Sequence, residues 1–288
     1  MTEQENPYPV SDTAALVMLW ASGYYETIPL ISTYLRRLDL SHGRQLLEHY
    51  NSICPWYSEV IINRKHFIKN MVEELITNDE KRTVIVNLGA GFSPLALELA
   101  PRLCDHVRFI EIDRSNMSHK RRLYSRLVPD RCRFISSIES DIADTAFLTE
   151  TLRKEIGEPS RTRLIVVMEG LTYYIEQSVM ERVLASLSGL APDLAIVFEH
   201  LKPCRLISDE RRFIPYRIFS HVRDYTALDR MTTYSKDEIP ALLDPDFSCI
   251  YYDMDTMEKR RMGSCKYFPA PDTGWLSCAV AVRRPVRE

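Results

Sequence analysis

The 288-residue sequence has no apolar run near the roughly 20 residues that a membrane-spanning helix needs, and no basic start before an apolar stretch. Its seven cysteines are widely spaced, odd in number and never arranged as C-x-x-C, which argues against a disulfide framework or a zinc site. Charge of neither sign dominates, since 37 basic and 40 acidic residues leave a net charge of -3. We therefore expect a soluble cytoplasmic protein with reduced thiols, and neither membrane, nucleic acid nor metal as a partner.

Internal repeats, low-complexity tracts and Gly/Ser linkers are also missing, so nothing requires a second domain. With 45% hydrophobic residues, the chain can bury the core of one large domain, or of one domain with an appended lobe. The first ~80 residues have helical patterns, in SDTAALVMLWASGY, which starts at Ser11 or Asp12, and in a segment from about residue 59 to residue 76.

From Thr83 onward, short β-rich runs alternate with helical stretches. Near-continuous Val/Ile/Leu strands separated by helices predict a parallel sheet covered on both faces, hence a doubly wound α/β fold. The seven predicted strands are TVIVNL, VRFIEI, CRFISS, RLIVVM, LAIVFEH, FSCIYYDM and WLSCAVAVRR. We divide the chain into a helical N-terminal lobe (1–80) and a core (81–288) that contains a lid insertion at about 201–240.

Ligands of such sheets bind beyond the carboxyl ends of the strands. In VIVNLGAGFSP, Gly89 and Gly91 follow the first strand, where a missing Cβ lets the backbone approach a ligand. The next strand ends with Glu111 and Asp113, about 20 residues on, where an acid can accept hydrogen bonds from ribose hydroxyls. Either feature alone could be an ordinary turn or a helix cap, but together they predict a cofactor that contains adenosine.

The kind of cofactor follows from what surrounds the glycines. A dinucleotide fingerprint, G-x-G-x-x-G/A, needs a small third residue where this chain has Pro94, and the phosphate-binding loop pattern is absent. A cofactor without phosphates, S-adenosylmethionine, fits better. Asp141 and Ile142 follow the third strand and could meet the adenine, while Glu169 ends the fourth strand near the amino group and sulfonium of such a cofactor.

These motifs resemble the leucine carboxyl methyltransferase family, whose members are class I methyltransferases with a Rossmann-like fold. The resemblance runs from about Ser11 to at least His200 and rests on NLGAGF, on EID at Glu111 to Asp113 and on EGLTYYI at Glu169 to Ile175. ASGYYETIPLISTYL and NRKHF also look like the N-terminal helices of that family.

The resemblance implies roles for individual residues. By it, Arg64 holds the cofactor carboxylate, Gly89, Ala90 and Gly91 line the cofactor, and Tyr174 faces the substrate. It likewise implies ribose binding by Asp113, adenine contacts by Asp141 and Ile142, and a place for Glu169 near the methionine end. The chain departs from the family at Phe92 to Leu95, where an Asp-Thr-Arg stretch is common in the family. It also departs near Leu16, where an apolar residue stands in place of a lysine, and after His200, where similarity is weak. The protein phosphatase 2A substrate of some members is therefore not implied.

Methyl transfer from a sulfonium is an in-line displacement that depends mainly on positioning. A carboxylate acceptor is ionised at pH 7 and needs a cationic clamp rather than a base. The segment after His200 offers Arg211, Arg212, Arg217 and Arg223, although these could instead form a solvated helical face paired with Asp209, Glu210 and Asp224. His200 could serve as a base for a hydroxyl acceptor or could be a structural histidine. The basic run HKRRLYSR is expected to be an exposed helical face.

We predict an S-adenosylmethionine-dependent O-methyltransferase that methylates a carboxylate of a small molecule or a peptide terminus and leaves S-adenosylhomocysteine. One alternative is a phenol or alcohol O-methyltransferase that uses a base. Another is a non-catalytic protein that only binds the cofactor. A nicotinamide dehydrogenase is disfavoured by Pro94.

Overall fold

The computed structural model describes residues 7–76 and 81–283. The first six residues lie outside that part. The predicted lobe boundary after residue 80 lies at its edge, next to residues 77–80, which are outside it. The helices are α1 (Asp12–Glu26), α2 (Pro29–Leu35), α3 (Arg44–Ile53), α4 (Tyr57–Leu75), α5 (Leu95–Glu98), α6 (Met117–Leu127), α7 (Thr145–Ile156), α8 (Gln177–Ser188), α9 (Phe213–Tyr225) and α10 (Met254–Met262). The strands are β1 (Tyr8–Pro9), β2 (Leu38–Asp39), β3 (Arg82–Leu88), β4 (Val107–Asp113), β5 (Ile135–Glu139), β6 (Thr162–Met168), β7 (Asp193–Leu201), β8 (Phe247–Asp253) and β9 (Leu276–Arg283). None of the helices described is both long and apolar enough to cross a membrane.

The central sheet has seven strands in the order β5-β4-β3-β6-β7-β9-β8. Strands β3 to β7 pair in parallel, whereas β9 pairs antiparallel with both β7 and β8. This confirms the predicted doubly wound, mostly parallel sheet. The strand order reverses between β3 and β6, so the carboxyl ends of these two neighbours border the crevice in which this architecture binds ligands.

Both faces of the sheet are covered. Alternate side chains, such as Val84 and Ile196, pack on one face with α7 and α8. Their neighbours Ile85 and Val197 point to the opposite face, where α1 to α4, α9 and α10 form the larger part of the core. Because successive strand residues point to opposite faces, each polar residue at a strand end is assigned to one layer by its position.

Several elements differ from the sequence pattern. The predicted helix PLALELAPRL shrinks to α5 and a 3-10 turn at Ala100–Arg102, because Pro101 lacks an N–H and disfavours helix in the residue before it. Helices α2, which begins at Pro29, and α3 complete the N-terminal region. Helix α10 was missed, because MDTMEKRRM is mostly charged and buries only Met254, Met257 and Glu258.

Candidate functional site

The glycine turn follows β3 at the strand-order reversal. Gly89 and Gly91 have φ values of 65° and 43°, in the left-handed region that favours glycine. A Cβ on Gly89 would lie 2.8 Å from a methyl carbon of Leu171, whereas a Cβ on Gly91 would meet no atom of the described residues within 4 Å. Gly89 therefore permits close packing, and Gly91 borders open space that a ligand can enter.

Asp113, the last residue of β4, is fixed beside this turn. Its Oδ2 accepts a hydrogen bond of 2.9 Å from the N–H of Gly91, and its Oδ1 accepts one of 3.4 Å from the N–H of Ser115. The side chain stays partly exposed. Each carboxylate oxygen has a further lone pair, so the arrangement suits a vicinal diol placed over Gly91.

Glu111 lies on β4 two residues before Asp113, so its side chain is on the same face of the sheet, and it is fully buried. Its Oε1 accepts hydrogen bonds from Lys120 Nζ at 2.7 Å and Tyr124 Oη at 3.1 Å. Burial raises the pKa of Glu111 and lowers that of Lys120, and the opposite charges counteract both shifts. Lys120 Nζ also lies 3.4 Å from the carbonyl oxygen of Ala90, so the pair supports the glycine turn from below. This burial of Lys120 corrects the expectation that the HKRRLYSR run is simply an exposed face.

The residues after β5 lie next to Asp113, since the N–H of Ser140 donates to its carbonyl oxygen at 2.8 Å. Asp141 is exposed and accepts a hydrogen bond from the N–H of Ala143. Ile142 is buried in the layer formed with α7 and α8. The structure thus brings both residues to the same sheet edge as Asp113.

A buried charge cluster occupies the carboxyl ends of β6 and β7. Glu169 Oε1 lies 3.1 Å from Arg64 Nε and 2.9 Å from Lys65 Nζ, both on α4. Arg64 Nη1 also lies 3.1 Å from Glu199 Oε1. Burial acts to raise the pKa of Glu169, but Lys65 and Arg64 together lower it to about 2. These four side chains, two cations and two carboxylates, are almost completely buried.

The cluster and the turn fit the two ends of S-adenosylmethionine. Arg64 can bind a carboxylate and Glu169 an ammonium, while Gly91 leaves room and Asp113 supplies paired acceptors for a ribose. Lys65, which already pairs with Glu169, was not among the predicted site residues. Its place beside Arg64 in NRKHF was the available signal, but only the fold shows that both side chains meet Glu169.

Tyr174 ends a 3-10 turn at Thr172–Tyr174. Its ring centroid lies 4.7 Å from that of Tyr173, which in turn packs on Phe219 of α9 at 5.5 Å. Burial raises the pKa of Tyr174 to about 12, so its phenol remains protonated near neutral pH. The turn is not extended, so Tyr173 and Tyr174 do not alternate between opposite faces as strand residues would.

His200 faces the sheet side opposite Glu199, and it is 1% exposed. Its Nδ1 lies 2.9 Å from the carbonyl oxygen of Tyr234, which can only accept, so Nδ1 carries the proton. Nε2 has no hydrogen-bond partner among residues 7–76 and 81–283. Burial lowers the pKa of His200 to about 4. The structure therefore does not bring His200 together with Arg64, Glu169 and Tyr174.

A hollow lined partly by helix α9 lies beyond the end of β7. This cavity of about 180 Å³ has Leu201, Phe219 and Met231 among its apolar lining, with Arg223 and Arg230 beside them. Arg223 also pairs with its neighbour Asp224 at 2.6 Å, and the other predicted clamp arginines are engaged elsewhere or lie outside the hollow. Arg211 stacks over Trp56 at 4.7 Å, Arg212 pairs with Asp209 at 2.5 Å, and Arg217 is exposed.

Comparison with known proteins identifies a family for this sequence. The family model for leucine carboxyl methyltransferase matches residues 2–188. No curated protein shows a significant sequence match to the chain.

Solved structures share the fold at low sequence identity. A candidate methyltransferase from Thermobifida fusca YX is 13% identical, with a TM-score of 0.65 over 98% of this chain and 97% of its own. A DUF574 family protein from Streptomyces avermitilis is 12% identical, with a TM-score of 0.59 over 85% and 91%. The carbon methyltransferase CurJ is 13% identical, with a TM-score of 0.52 over 95% and 68%.

Proposed function

The chain belongs to the leucine carboxyl methyltransferase family, and from this premise we propose that it methylates a carboxylate to a methyl ester. The protein is an S-adenosylmethionine-dependent methyltransferase. The acceptor atom is the proposed part, because a carbon methyltransferase such as CurJ is among the proteins with this fold.

The donor site consists of the glycine turn and the buried cluster. Arg64 holds the donor's carboxylate, Glu169 its ammonium, and Asp113 its ribose, while Gly89, Ala90 and Gly91 line it. Asp141 and Ile142 flank the adenine. Glu111 contributes indirectly, since it positions Lys120 under Ala90. When bound, the donor supplies an electrophilic methyl group on a positive sulfur.

The observation that carries the carboxylate proposal is the protonation state of the two candidate catalytic residues. With a pKa of about 12, Tyr174 can donate a hydrogen bond but does not act as a base near pH 7. His200 has a pKa of about 4 and lies on the other side of the sheet. An ionised carboxylate needs no proton removed, whereas a phenol or alcohol does. A hydrogen bond from Tyr174 suits such an acceptor.

The hollow beyond β7 supports an acidic acceptor. Its wall residue Phe219 packs on Tyr173, and the N–H of Thr232 donates to the carbonyl oxygen of Tyr173 at 3.1 Å. An acceptor body can therefore lie on apolar side chains next to the Tyr173–Tyr174 turn, with Arg223 and Arg230 nearby to attract acids.

Contacts between α9 and the N-terminal helices support a covering role for residues 1–80 and for the lid at about 201–240. Tyr50 Oη lies 2.7 Å from His221 Nδ1, and Tyr225 hydrogen-bonds Asp12. The ring of His49 lies 4.8 Å from that of His221. Closure of these elements keeps water from the donor and acceptor.

The test is transfer of a labelled methyl group from S-adenosylmethionine to panels of carboxylic acids, peptides with free C-termini and phenols. Peptides with amidated C-termini are the matched control. We expect label in a product that mild base hydrolyses to methanol, and none in the amidated peptides. A base-stable product would shift the assignment to a phenol or alcohol acceptor. Donor binding without turnover of any acceptor would favour the non-catalytic alternative.

A further inference from the structure

Glu98, the last residue of α5, is a partly buried residue that the proposed reaction does not use, and its Oε1 atom is shielded from solvent. Its Oε2 accepts a hydrogen bond of 3.3 Å from Tyr25 Oη, and its Oε1 has no partner in the part of the chain that the structure describes. Burial raises its pKa to about 7, although Lys65 acts in the opposite direction. Near neutral pH this group is therefore close to equally protonated and ionised.

The groups around Glu98 come from four elements, namely α4, α1, the end of β6 and α6. Helix α4 contributes Lys65 and Lys69, and α1 contributes Tyr24 and Tyr25. Glu169 and Tyr124 also act on it or on its neighbours electrostatically. Lys65 Nζ is bonded to Glu169, yet it lies only 5.9 Å from the centre of the Tyr25 ring, whose hydroxyl bonds Glu98. A change of lysine rotamer can therefore carry the ammonium from Glu169 toward Glu98.

The buried charges balance without Glu98. Arg64 and Lys65 contribute two positive charges, and Glu169 and Glu199 two negative ones. S-adenosylmethionine adds a zwitterionic amino acid and one uncompensated positive charge on sulfur. Its ammonium also competes with Lys65 for Glu169. A buried charge without compensation is costly, so an ionisable carboxyl beside the cluster is favoured to lose its proton.

We propose that Glu98 and Lys65 form a charge-compensating pair: when the donor's ammonium takes Glu169, Lys65 turns to Glu98, and the added sulfonium charge makes Glu98 release its proton to solvent. This inference rests on the proposed donor site. The pair selects the positively charged donor over the neutral thioether product, since only the donor brings the extra charge that an ionised Glu98 offsets. Glu98 is thus a positioning residue that favours product release.

Thermodynamic linkage between proton release and ligand binding sets how donor affinity changes with pH. A group that is protonated in the free protein and ionised in the complex makes affinity rise with pH below its free pKa and level off above it. Affinity for S-adenosylmethionine should therefore rise about tenfold from pH 6 to pH 8. Affinity for S-adenosylhomocysteine should change less.

The test is calorimetric titration of the full chain with both ligands, at pH 6 and pH 8, in buffers that differ in ionisation enthalpy. We expect nearly one proton released per S-adenosylmethionine at pH 6, and clearly less for S-adenosylhomocysteine. Glu98→Gln keeps an acceptor for Tyr25 and should abolish both the release and the pH dependence. Lys65→Met should abolish the release as well, because the donor's charge then replaces the lost one. Glu73→Gln, which alters the partner of Lys69, is the matched control and should behave as wild type.

The outcomes separate this inference from the donor site itself. Binding of S-adenosylmethionine without proton release, or release that persists in Glu98→Gln, would overturn the role of Glu98 and leave the proposed function standing. Failure of the wild-type protein to bind either ligand would overturn the donor site and the inference together. Thermal unfolding of Glu98→Gln checks the fold, and we expect its Tm at pH 8 to equal or exceed that of wild type.

Discussion

Lys120 Nζ lies 2.7 Å from Glu111 Oε1 in an ion pair with no solvent exposure, and it joins α6 to β4 directly under the glycine turn. Removal of one member of a buried pair leaves an uncompensated charge. We expect Lys120→Met to lower the free energy of unfolding by about 3–5 kcal/mol. The double variant Lys120→Met/Glu111→Gln should recover much of this loss. Urea denaturation measures both, and equal stability of single and double variants would contradict the expectation.

Asp113 should control donor affinity more than stability. Its carboxylate is partly exposed and holds the N–H of Gly91. Asp113→Ala removes charged acceptors worth about 1.5–3 kcal/mol for each hydrogen bond, so we expect affinity for S-adenosylhomocysteine to fall about 10- to 100-fold. Calorimetric titration measures this, with the exposed Asp105→Asn as control. Unchanged affinity would remove Asp113 from the donor site.

The arginines of the hollow beyond β7 should act on the acceptor and not on the donor. We expect Arg223→Gln and Arg230→Gln each to raise KM for an acidic acceptor several-fold, because each removes a cation from the lining. Affinity for S-adenosylhomocysteine should stay as in wild type. Arg217→Gln, on α9 with Arg223 but outside the lining, is the control. An equal rise of KM in the control would point to a general field instead of this hollow.

His200 should make stability depend on pH. Its folded pKa of about 4 lies below the unfolded value of about 6.5, so the unfolded chain binds the proton more readily between these values. The contribution to stability is thus complete above about pH 6.5 and is lost as pH falls toward 4.

Between pH 7 and pH 4, His200 lowers the free energy of unfolding by about 3 kcal/mol. His200→Asn, whose amide can still donate to the Tyr234 carbonyl, should lose that much less stability between pH 7 and pH 4. The two proteins are compared by urea denaturation across this range. Parallel pH profiles would show that His200 is not the group that titrates. Methyl transfer by His200→Asn should persist, whereas a base role would abolish it.

The alternation of apolar strands with helices was sufficient to predict the sheet, because buried parallel strands are continuous Val/Ile/Leu runs that few other structures produce. The family and the donor were likewise predicted from short motifs at strand ends, and both are confirmed. The sequence pattern did not predict helix α10, because its sequence is mostly charged. It packs on α4 and is fixed by Glu258, whose carboxylate accepts the backbone N–H groups of Lys266, Tyr267 and Phe268. Such contacts between distant segments leave no periodic signal.

The site shows the same limit. Position at a strand end placed Asp113 and Glu169 at the crevice, but position alone did not separate Asp113 from Glu111. That distinction depends on Lys120, one turn into α6, which reaches back to Glu111 and Ala90. Lys65 and Glu98 were likewise not singled out, since their significance depends on which charges surround them after folding. The site roles of the individual residues stay predictions.

The Arg64–Glu199 contact spans 135 positions of the chain. During synthesis, the N-terminal helices are made first. Arg64 and Lys65 therefore lack their carboxylate partners until β6 and β7 have left the ribosome. A nascent chain that ends before Glu169 therefore carries two cations without either carboxylate partner, and one that ends between Glu169 and Glu199 has only one of the two carboxylates. The buried cluster is therefore completed late in translation, and a protein shortened before Glu199 would have the glycine turn beside an incomplete cluster.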